Sequence, residues 1–288
     1  MADTEAPAEF QIITTLRYDA RLLELPGQGF PTAAWNRTPS PWYMLDYHRD
    51  RMLRAVEYFG FQSFDQLYRG EAGLRRFESL LQSEYDEKYA ARRSKMWRVK
   101  VLLGHTGNTQ FEFAPLSDAV QDVTPLNNLF PSCLPAPTGS DIPPSVSIDS
   151  SKPALTGSPW VILLDVQIIK PDAFTHFKTT KREVYNDVRS RFNLTPAERT
   201  EVLVQNPDGE VMEGTITTPY FWRNQRWVTP PVSIHSHWGG NDGTTRRFAL
   251  ERGIAAEEVI LASSITDGEF CWLSNGVRGF MPGFVRLA

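Results

Sequence analysis

The fold is decided by two stretches of this 288-residue sequence, His176-Phe177-Lys178-Thr179-Thr180-Lys181-Arg182-Glu183-Val184-Tyr185 and Glu213-Gly214-Thr215-Ile216-Thr217-Thr218. The first follows a dense apolar run at 160–169, which predicts a strand, and it leads into a helix predicted at 181–191. Asp208-Gly209 predicts a hairpin turn that delivers Glu213 onto the next strand. Because most lysines are solvated, Lys178 becomes a functional candidate only through the segments around it.

Four further segments supply that context. Near the N-terminus stand Thr15-Leu16-Arg17 and Tyr47-His48-Arg49-Asp50-Arg51-Met52-Leu53, and later come Asn241-Asp242-Gly243-Thr244-Thr245-Arg246 and Leu273-Ser274-Asn275-Gly276-Val277-Arg278-Gly279. In this order, the segments resemble those of the fold-type IV pyridoxal-phosphate enzymes, which include branched-chain and D-amino-acid aminotransferases and 4-amino-4-deoxychorismate lyases. The last segment is similar to the S-N-S-L-R-G turn of the lyase branch. The whole pattern looks most like the fungal lyases.

The resemblance implies a pyridoxal 5'-phosphate site. Lys178 would be the Schiff-base lysine and the proton-transfer base, which requires an amine that is neutral part of the time. Burial and a nearby cation both lower the pKa of a lysine. Glu213 would face the ring nitrogen and Arg51 would grip the phosphate. The full set implied for the cofactor is Arg51, Lys178, Glu213, Thr217, Thr218, Thr244 and Thr245.

Thr244 and Thr245 open a predicted helix, and the free N–H groups of a helix N-terminus suit an anion. On the substrate side, the resemblance implies a small anionic substrate that meets Arg17, Ser274, Asn275 and Arg278. It implies a lyase that converts 4-amino-4-deoxychorismate to 4-aminobenzoate and pyruvate in folate biosynthesis. Two alternatives stay open at this point, an aminotransferase acting on branched-chain or D-amino acids and a degenerate protein that binds the cofactor without catalysis.

The expected fold class is α+β (mixed α/β) with two domains and the cofactor site at their interface. A small N-terminal α+β domain is expected at 1–114 and a larger cofactor-binding domain at 160–288. The segment 115–159 is rich in proline and serine, which is typical of an irregular linker without helices or paired strands.

Hydrophobic periodicity predicts the remaining elements. In the N-terminal part, Asp46 is the expected N-cap of a helix at 48–59. In the C-terminal part, Gly253 is expected to end a helix at 244–252. The other predicted elements are a strand at 10–18, helices at 64–68 and 72–89, a hairpin of 97–103 with 109–113, and strands at 201–204, 215–222 and 227–229.

The composition indicates which kinds of partner and which cellular compartment to expect. With 30 basic and 34 acidic residues the net charge is −4, which gives no indication of nucleic-acid or acidic-membrane binding. Two cysteines are too few for a disulfide framework, and the N-terminal residues lack the features of a signal peptide. No apolar run approaches the ~20 residues of a membrane span. We expect a cytoplasmic protein, and the resemblance implies a homodimer.

Some residues depart from the family pattern or compete with it. Asp242 stands where relatives have proline, so its carboxylate would repel a phosphate unless it turns outward. Thr218 stands where many relatives have asparagine, although a hydroxyl can still donate a hydrogen bond. Lys181 competes with Lys178 but is expected to be a charge on a helix face. The pair His235 and His237 lacks a third ligand at a recognisable spacing, so no metal site is predicted.

Overall fold

The computed structural model describes most of the chain as a mixed α/β fold built on two sheets. The residues that it describes are 10–27, 39–61, 68–92, 95–116, 126–137, 159–195 and 198–287. The fold class expected from the sequence is therefore confirmed. Residues 64–67 of the predicted helix at 64–68 and most of the predicted linker at 115–159 lie outside the described residues.

The N-terminal part is a three-stranded antiparallel sheet covered by two helices. Its strands are β1 (Ile12–Asp19), β2 (Met96–Leu103) and β3 (Thr109–Pro115), in the order β1-β2-β3. The helices are α1 (Leu45–Phe59) and α2 (Gly70–Lys88). The predicted hairpin is confirmed as β2 and β3, since Val99 pairs with Phe113 and Leu103 with Thr109.

Helix α1 begins earlier than predicted, and the predicted cap is wrong. The helix begins at Leu45, preceded by Met44 in a left-handed conformation with φ 51°. Asp46 lies inside the first turn, where its carboxylate accepts the Tyr47 N–H at 2.8 Å. At the other end, Gly60 adopts φ 72° and closes the helix, a conformation that favours glycine. The early start places His48 and Arg51 on the buried face of α1.

The C-terminal part is an eight-stranded mixed sheet. Its order is β6-β5-β4-β11-β10-β7-β8-β9. The strands are β4 (Trp160–Ile168), β5 (Thr200–Gln205), β6 (Val211–Gly214), β7 (Thr218–Arg223), β8 (Arg226–Thr229), β9 (Ala256–Glu257), β10 (Phe270–Asn275) and β11 (Gly279–Val285). The helices are α3 (Leu126–Leu129), α4 (Ala173–His176), α5 (Glu183–Arg191) and α6 (Thr244–Glu251).

Two details differ from the sequence prediction. Residues 215–217 form a turn rather than the start of a strand, and β7 begins at Thr218. Part of the predicted linker is ordered, because α3 is a short helix and Leu129 is fully buried in the core of the C-terminal part. Asn128 Nδ2 donates to the Phe280 carbonyl at 3.0 Å. Burial of the apolar side chains of 126–137 in this core orders the segment despite the nearby prolines.

The two parts meet along the segment that carries Lys178. The Ile13 N–H donates to the Lys178 carbonyl at 2.9 Å, and the Thr180 N–H donates to the Gln11 carbonyl at 2.9 Å. Ile12 and Thr179 form an antiparallel bridge. The backbone of the lysine segment thus extends the edge of the N-terminal sheet.

Candidate active site

Lys178 lies at the end of a short, firmly capped turn. Asp172 caps α4 by accepting the N–H groups of Phe174 at 2.7 Å and Thr175 at 2.9 Å. The chain then becomes extended at Phe177 and presents Lys178 between the two parts of the protein. Burial and, to a smaller extent, the positive charge of Arg51 lower the pKa of Lys178 to about 7. The amine is therefore neutral in a large fraction of molecules at neutral pH.

Glu213 is the acidic counterpart of Lys178. Gly209, with φ 74°, forms the predicted hairpin turn, and β6 carries Glu213 back into the interior. Its Oε1 accepts the Tyr185 hydroxyl at 2.5 Å. Burial raises the pKa of Glu213 to about 7, whereas the Tyr185 hydrogen bond and the Asn241 N–H oppose that rise. Lys178 also lowers this pKa, so the two side chains share one electrostatic environment.

Lys181 is separated from this environment. Its ammonium lies 4.7 Å from the centre of the Phe174 ring, a cation–π contact. Lys178, in contrast, is the lysine whose pKa responds to Arg51 and Glu213.

Arg51 is buried on α1 and reaches across to the C-terminal part. Its NH2 group donates to Thr14 Oγ1 at 2.8 Å, and its NH1 group donates to Asn241 Oδ1 at 3.1 Å. Asn241 in turn donates through Nδ2 to the His176 carbonyl at 2.9 Å. The guanidinium is thus held in place from both sides.

Several buried donors around Arg51 have no partner among the described residues. They are Arg51 Nε, His48 Nε2 and Thr244 Oγ1. Unsatisfied polar atoms are uncommon in protein interiors and cost about 1–3 kcal/mol each. A phosphate group supplies several acceptor oxygens and a negative charge, so this donor set fits the phosphate of pyridoxal phosphate.

The protonation of His48 supports this fit. Burial holds the pKa of His48 well below its usual range, and the charges of Arg51 and Lys178 act in the same direction. The imidazole is therefore neutral. Its Nδ1 lies 2.7 Å from Thr14 Oγ1, which already accepts a hydrogen bond from Arg51. The Thr14 hydroxyl proton is then free to bond Nδ1, an arrangement that leaves the His48 proton on Nε2 as a donor.

Gly276 closes this donor cluster from the other side. A Cβ at position 276 would lie 2.6 Å from His48 Cε1, 2.8 Å from His48 Nε2 and 3.0 Å from Thr244 Oγ1. Only glycine allows the backbone to approach the imidazole this closely. The turn of the predicted substrate segment is thereby packed directly on the predicted phosphate site.

The two threonines that open α6 occupy different positions. Gly243 precedes the helix, and Thr244 carries one of the unpartnered hydroxyls. Thr245 Oγ1 instead accepts from Ser274 Oγ at 2.8 Å, and Tyr220 Oη lies 2.9 Å from the same Ser274 oxygen. Thr245 and Ser274 therefore join α6 to β10, and Thr244 is the hydroxyl available to a ligand.

Thr217 and Thr218 differ in the same way. Thr217 Oγ1 donates to Glu201 Oε2 at 2.7 Å, so this hydroxyl is committed to the protein. Thr218 is buried at the start of β7, and a Cβ at Gly243 would lie 3.1 Å from its Oγ1. Thr218 thus borders the opening of α6, close to the predicted phosphate site.

Asp242 is turned toward cations. Its Oδ2 accepts from Arg54 at 2.6 Å, and Oδ1 lies 3.9 Å from Arg246. These two guanidiniums offset the carboxylate charge that the sequence placed next to the phosphate. The ion pair between Arg54 on α1 and Asp242, which precedes α6, also ties the two parts of the protein together.

Arg17, predicted to meet the substrate, is a buried residue paired with an acidic side chain. Its side chain is 2% exposed and forms a salt bridge with Asp19 at 2.8 Å. It also donates to the Val277 carbonyl at 3.2 Å. Its charge is therefore offset inside the protein, and its contact with the substrate segment is made through the backbone.

The remaining predicted substrate residues shape one turn. Asn275 Oδ1 accepts the N–H groups of Val277 at 3.0 Å and Arg278 at 2.8 Å. The Arg278 guanidinium lies 5.5 Å from the centre of the Trp160 ring. Ser274 contacts Thr245, one of the predicted cofactor residues, and Asn275 shapes the turn that leads to Arg278.

The histidine pair falls in the segment between β8 and α6, and within the described part of the chain acidic side chains lie near His237. His237 Nε2 lies 3.3 Å from Glu210 and 3.9 Å from Asp208. The ligand atoms of these three residues all lie within 4.8 Å of one another, an arrangement that the sequence spacing did not reveal. Such exposed groups are common without an ion, and the expectation of no metal stays a prediction.

Four residues that contribute to the site were not predicted. They are His48, Tyr185, Asn241 and Glu201. The first three stand inside segments that the sequence already singled out, so their position could have identified them. Glu201 is the first residue of the strand predicted at 201–204, and no local pattern distinguishes it.

Comparison with known proteins identifies the family. The model of the amino-transferase class IV family matches residues 30–283. The chain belongs to this family. Its members are pyridoxal-phosphate-dependent enzymes. The class IV assignment confirms the resemblance read from the sequence.

Two curated relatives come from yeasts. The chain is 29% identical over 228 residues to the aminodeoxychorismate lyase of Saccharomyces cerevisiae, covering 71% of this chain and 56% of the relative. It is 28% identical over 138 residues to a candidate aminodeoxychorismate lyase of Schizosaccharomyces pombe, covering 46% of this chain and 58% of the relative. The class IV chain described here thus spans somewhat more than half the length of these relatives.

Solved structures support the same fold. A candidate amino-acid aminotransferase from Mesorhizobium loti superposes with a TM-score of 0.63 at 19% identity, covering 96% of this chain and 99% of the other. At this identity the likeness shows the class IV fold and no particular reaction.

None of the helices in the described part of the chain combines the length and the apolar character needed to cross a membrane.

Proposed function

We propose that this chain is a pyridoxal-phosphate-dependent lyase that converts 4-amino-4-deoxychorismate to 4-aminobenzoate and pyruvate. The observation that carries the proposal is Lys178, a lysine with its pKa lowered to about 7 between Arg51 and Glu213. The similarity to the yeast lyase favours this reaction within the family.

The proposed cofactor is held at three points. Arg51, His48 and Thr244 would bind the phosphate through donors that have no other partner in the described structure. Glu213 would hold a proton shared with the ring nitrogen, and Lys178 would bind the aldehyde carbon. When bound, pyridoxal phosphate withdraws electrons from the substrate carbon that carries the amine.

Lys178 is proposed to move the proton in this reaction. Once the substrate amine has taken its place on the aldehyde carbon, the freed Lys178 amine would accept the proton from the amine-bearing ring carbon of the substrate. The neighbouring carbon–oxygen bond then breaks and releases the enolpyruvyl group, which takes up a proton and leaves as pyruvate. Aromatisation of the ring to 4-aminobenzoate drives this elimination. The positive charge of Arg51 keeps Lys178 from holding the proton too tightly.

Borohydride reduction of the cofactor-loaded protein followed by peptide mapping tests the site. We expect a phosphopyridoxyl group on Lys178, and an adduct on Lys181 or on no lysine would contradict the assignment. Assaying pyruvate release from 4-amino-4-deoxychorismate tests the reaction. A protein that carries the adduct but releases no pyruvate and transaminates nothing would be a binding protein without catalysis.

An aminotransferase is the second candidate, because the amino-transferase class IV family model matches residues 30–283. It would use the same cofactor residues and a different substrate pocket. Incubation with pairs of amino acids and 2-oxo acids separates the two candidates. Faster amino transfer than pyruvate release would favour the aminotransferase.

We further propose that the protein acts as a cytoplasmic homodimer, as the family resemblance implies. Light scattering on the purified protein tests the dimer. A monomer at micromolar concentration would contradict it.

A further inference from the structure

Glu201 is a fully buried carboxylate that the proposed chemistry does not use. It lies on β5, next to the strand that carries Glu213, and its side chain points at the turn formed by 214–217. Oε1 accepts the Thr215 N–H at 3.0 Å and the Thr215 hydroxyl at 2.6 Å. Oε2 accepts the Ile216 N–H at 3.1 Å and the Thr217 hydroxyl at 2.7 Å.

The turn is built around this carboxylate. A buried carboxylate is costly unless donors surround it. The four donors of the turn provide most of that compensation, together with the Val202 N–H at 2.9 Å and the Arg189 guanidinium at 4.0 Å. Without Glu201, the two hydroxyls and the Ile216 N–H would have to find other acceptors, whereas the Thr215 N–H also donates to the Val202 carbonyl at 3.0 Å. Gly214 shows how close the packing is, since a Cβ there would lie 2.8 Å from Glu201 Cδ and 2.5 Å from Thr217 Oγ1.

The turn connects the two functional ends of the site. Glu213 precedes it and Thr218 follows it, so its geometry determines how both side chains enter the site. On its outer side, the Ile216 carbonyl accepts from Asn275 Nδ2 at 3.4 Å. Asn275 is the residue that shapes the turn at 275–278. Hydrogen bonds therefore link Glu201 through the 214–217 turn to Asn275, and the backbone of the same turn links it to Glu213.

We propose that Glu201 is a positioning residue that fixes Glu213 and the 275–278 turn in register with each other. The proposal rests on the proposed function for its catalytic readout, but its structural part concerns the cofactor-free protein. Glu201 makes no direct contact with substrate in this role. It acts through the peptide groups of the 214–217 turn.

Asp165 offers a matched control. It is another buried carboxylate, 2% exposed, on the neighbouring strand β4. It accepts from Arg191 and from the Gln167 N–H, and it makes no hydrogen bond to the 214–217 turn. Asp165→Asn therefore removes a buried carboxylate from the same sheet without touching the proposed connection.

The test compares Glu201→Gln with Asp165→Asn by amide hydrogen exchange on the cofactor-free proteins. Glutamine keeps the shape of the side chain but replaces an acceptor oxygen with an NH₂ group that meets N–H and O–H donors. We expect Glu201→Gln to speed exchange at both 214–218 and 275–278, and Asp165→Asn to leave both segments unchanged. Faster exchange in the first segment alone, or the same response in both variants, would overturn the proposal.

A second readout uses the loaded enzyme. Glu201→Gln is expected to raise KM by about 3- to 10-fold, the range expected for one lost hydrogen bond. It should also shift the midpoint of the pH titration of the cofactor absorbance, whereas Asp165→Asn should move neither. An unchanged titration and KM in Glu201→Gln would contradict the proposal.

If Glu201→Gln does not fold, Thr215→Val removes one donor to the same carboxylate and gives the same comparison. If wild-type protein forms no Lys178 adduct, the proposed function is contradicted. The exchange experiment on the cofactor-free proteins would still test the role of Glu201.

Discussion

The two ends of the candidate site treat their polar groups in opposite ways. At the lysine end, comprising Lys178, Tyr185 and Glu213, the carboxylate is bonded inside the protein and the two titrating groups both have a pKa of about 7. At the anion end, comprising His48, Arg51 and Thr244, three buried donors have no partner in the described structure. The first end adjusts protonation, and the second is prepared to recognise a ligand. Substitutions at each end of the site separate these two tasks.

The largest effect is expected at the lysine end. Lys178→Met removes the proposed base, so the rate of pyruvate release should fall by roughly 10²- to 10⁴-fold, the usual contribution of a positioned base. Cofactor should still bind without a covalent bond, because the anion end is intact. Lys181→Met is the control and should keep most of the activity. Equal losses in both variants would end the distinction between the two lysines.

The same variant tests the protonation of Lys178. Since its pKa falls from 10.5 to about 7 on folding, the unfolded chain binds more protons than the folded protein between these values. The free energy of unfolding of the wild-type protein should therefore rise with pH across that window. In Lys178→Met this rise should be smaller. Chemical denaturation of the cofactor-free proteins at several pH values measures it. Parallel curves for the two proteins would show that Lys178 is not perturbed.

The next effect is expected at the anion end. Arg51→Met should weaken cofactor binding by roughly 10- to 100-fold, because hydrogen bonds to a charged group contribute about 1.5–3 kcal/mol. It should also raise the pKa of Lys178, since a neighbouring positive charge is removed. Cofactor titration followed by absorbance measures both quantities. Arg49→Met, on the same helix, is the control, and an equal loss of affinity there would contradict the assignment.

A smaller effect is expected where the two ends are packed together. Gly276→Ala would place a methyl group 2.6 Å from the His48 ring, and overpacking of this kind costs about 1–3 kcal/mol of stability. The double variant with His48→Ala should recover part of that stability, because the ring is removed. Thermal unfolding of the three variants checks this. Additive losses would show that the two residues do not meet.

The smallest effect concerns Asp242. Arg54→Ala leaves this carboxylate with less positive charge near the proposed phosphate, and partly exposed ion pairs contribute only about 0.2–1 kcal/mol. Cofactor affinity should fall by no more than about 5-fold, and high salt should reduce the difference. Arg54→Lys should restore most of the affinity. A loss as large as that of Arg51→Met would mean that Arg54 binds the ligand itself.

The sequence predicted the lysine end better than the anion end. The segments around Lys178 and Glu213 carry local signals, an apolar strand and an Asp-Gly turn, and both were placed correctly. The family order indicated Arg51 and Thr244, but not the bond from His48 to Thr14. That bond joins a helix to a distant strand, and no local pattern encodes such a contact.

Two other predicted site residues, Arg17 and Thr217, make contacts that no local pattern in the sequence indicates. Arg17 was predicted to meet a substrate because of its charge, yet Asp19, two residues along the strand, forms a salt bridge with it. Thr217 was predicted to meet the cofactor, but Glu201 on a neighbouring strand takes its hydroxyl. A sequence indicates which side chains are polar, and only the assembled sheets determine which of them are already satisfied.

Asn241 has a consequence for how the protein matures. The side-chain amide of Asn241 accepts from Arg51 of the N-terminal part and donates to the His176 carbonyl of the C-terminal part. The backbone N–H of Asn241 bonds to Glu213. These bonds exist together only after the two parts have docked. A half-folded chain would therefore hold neither the arginine nor the glutamate in place, so the capacity to capture a cofactor should arise late in folding and report that assembly is complete.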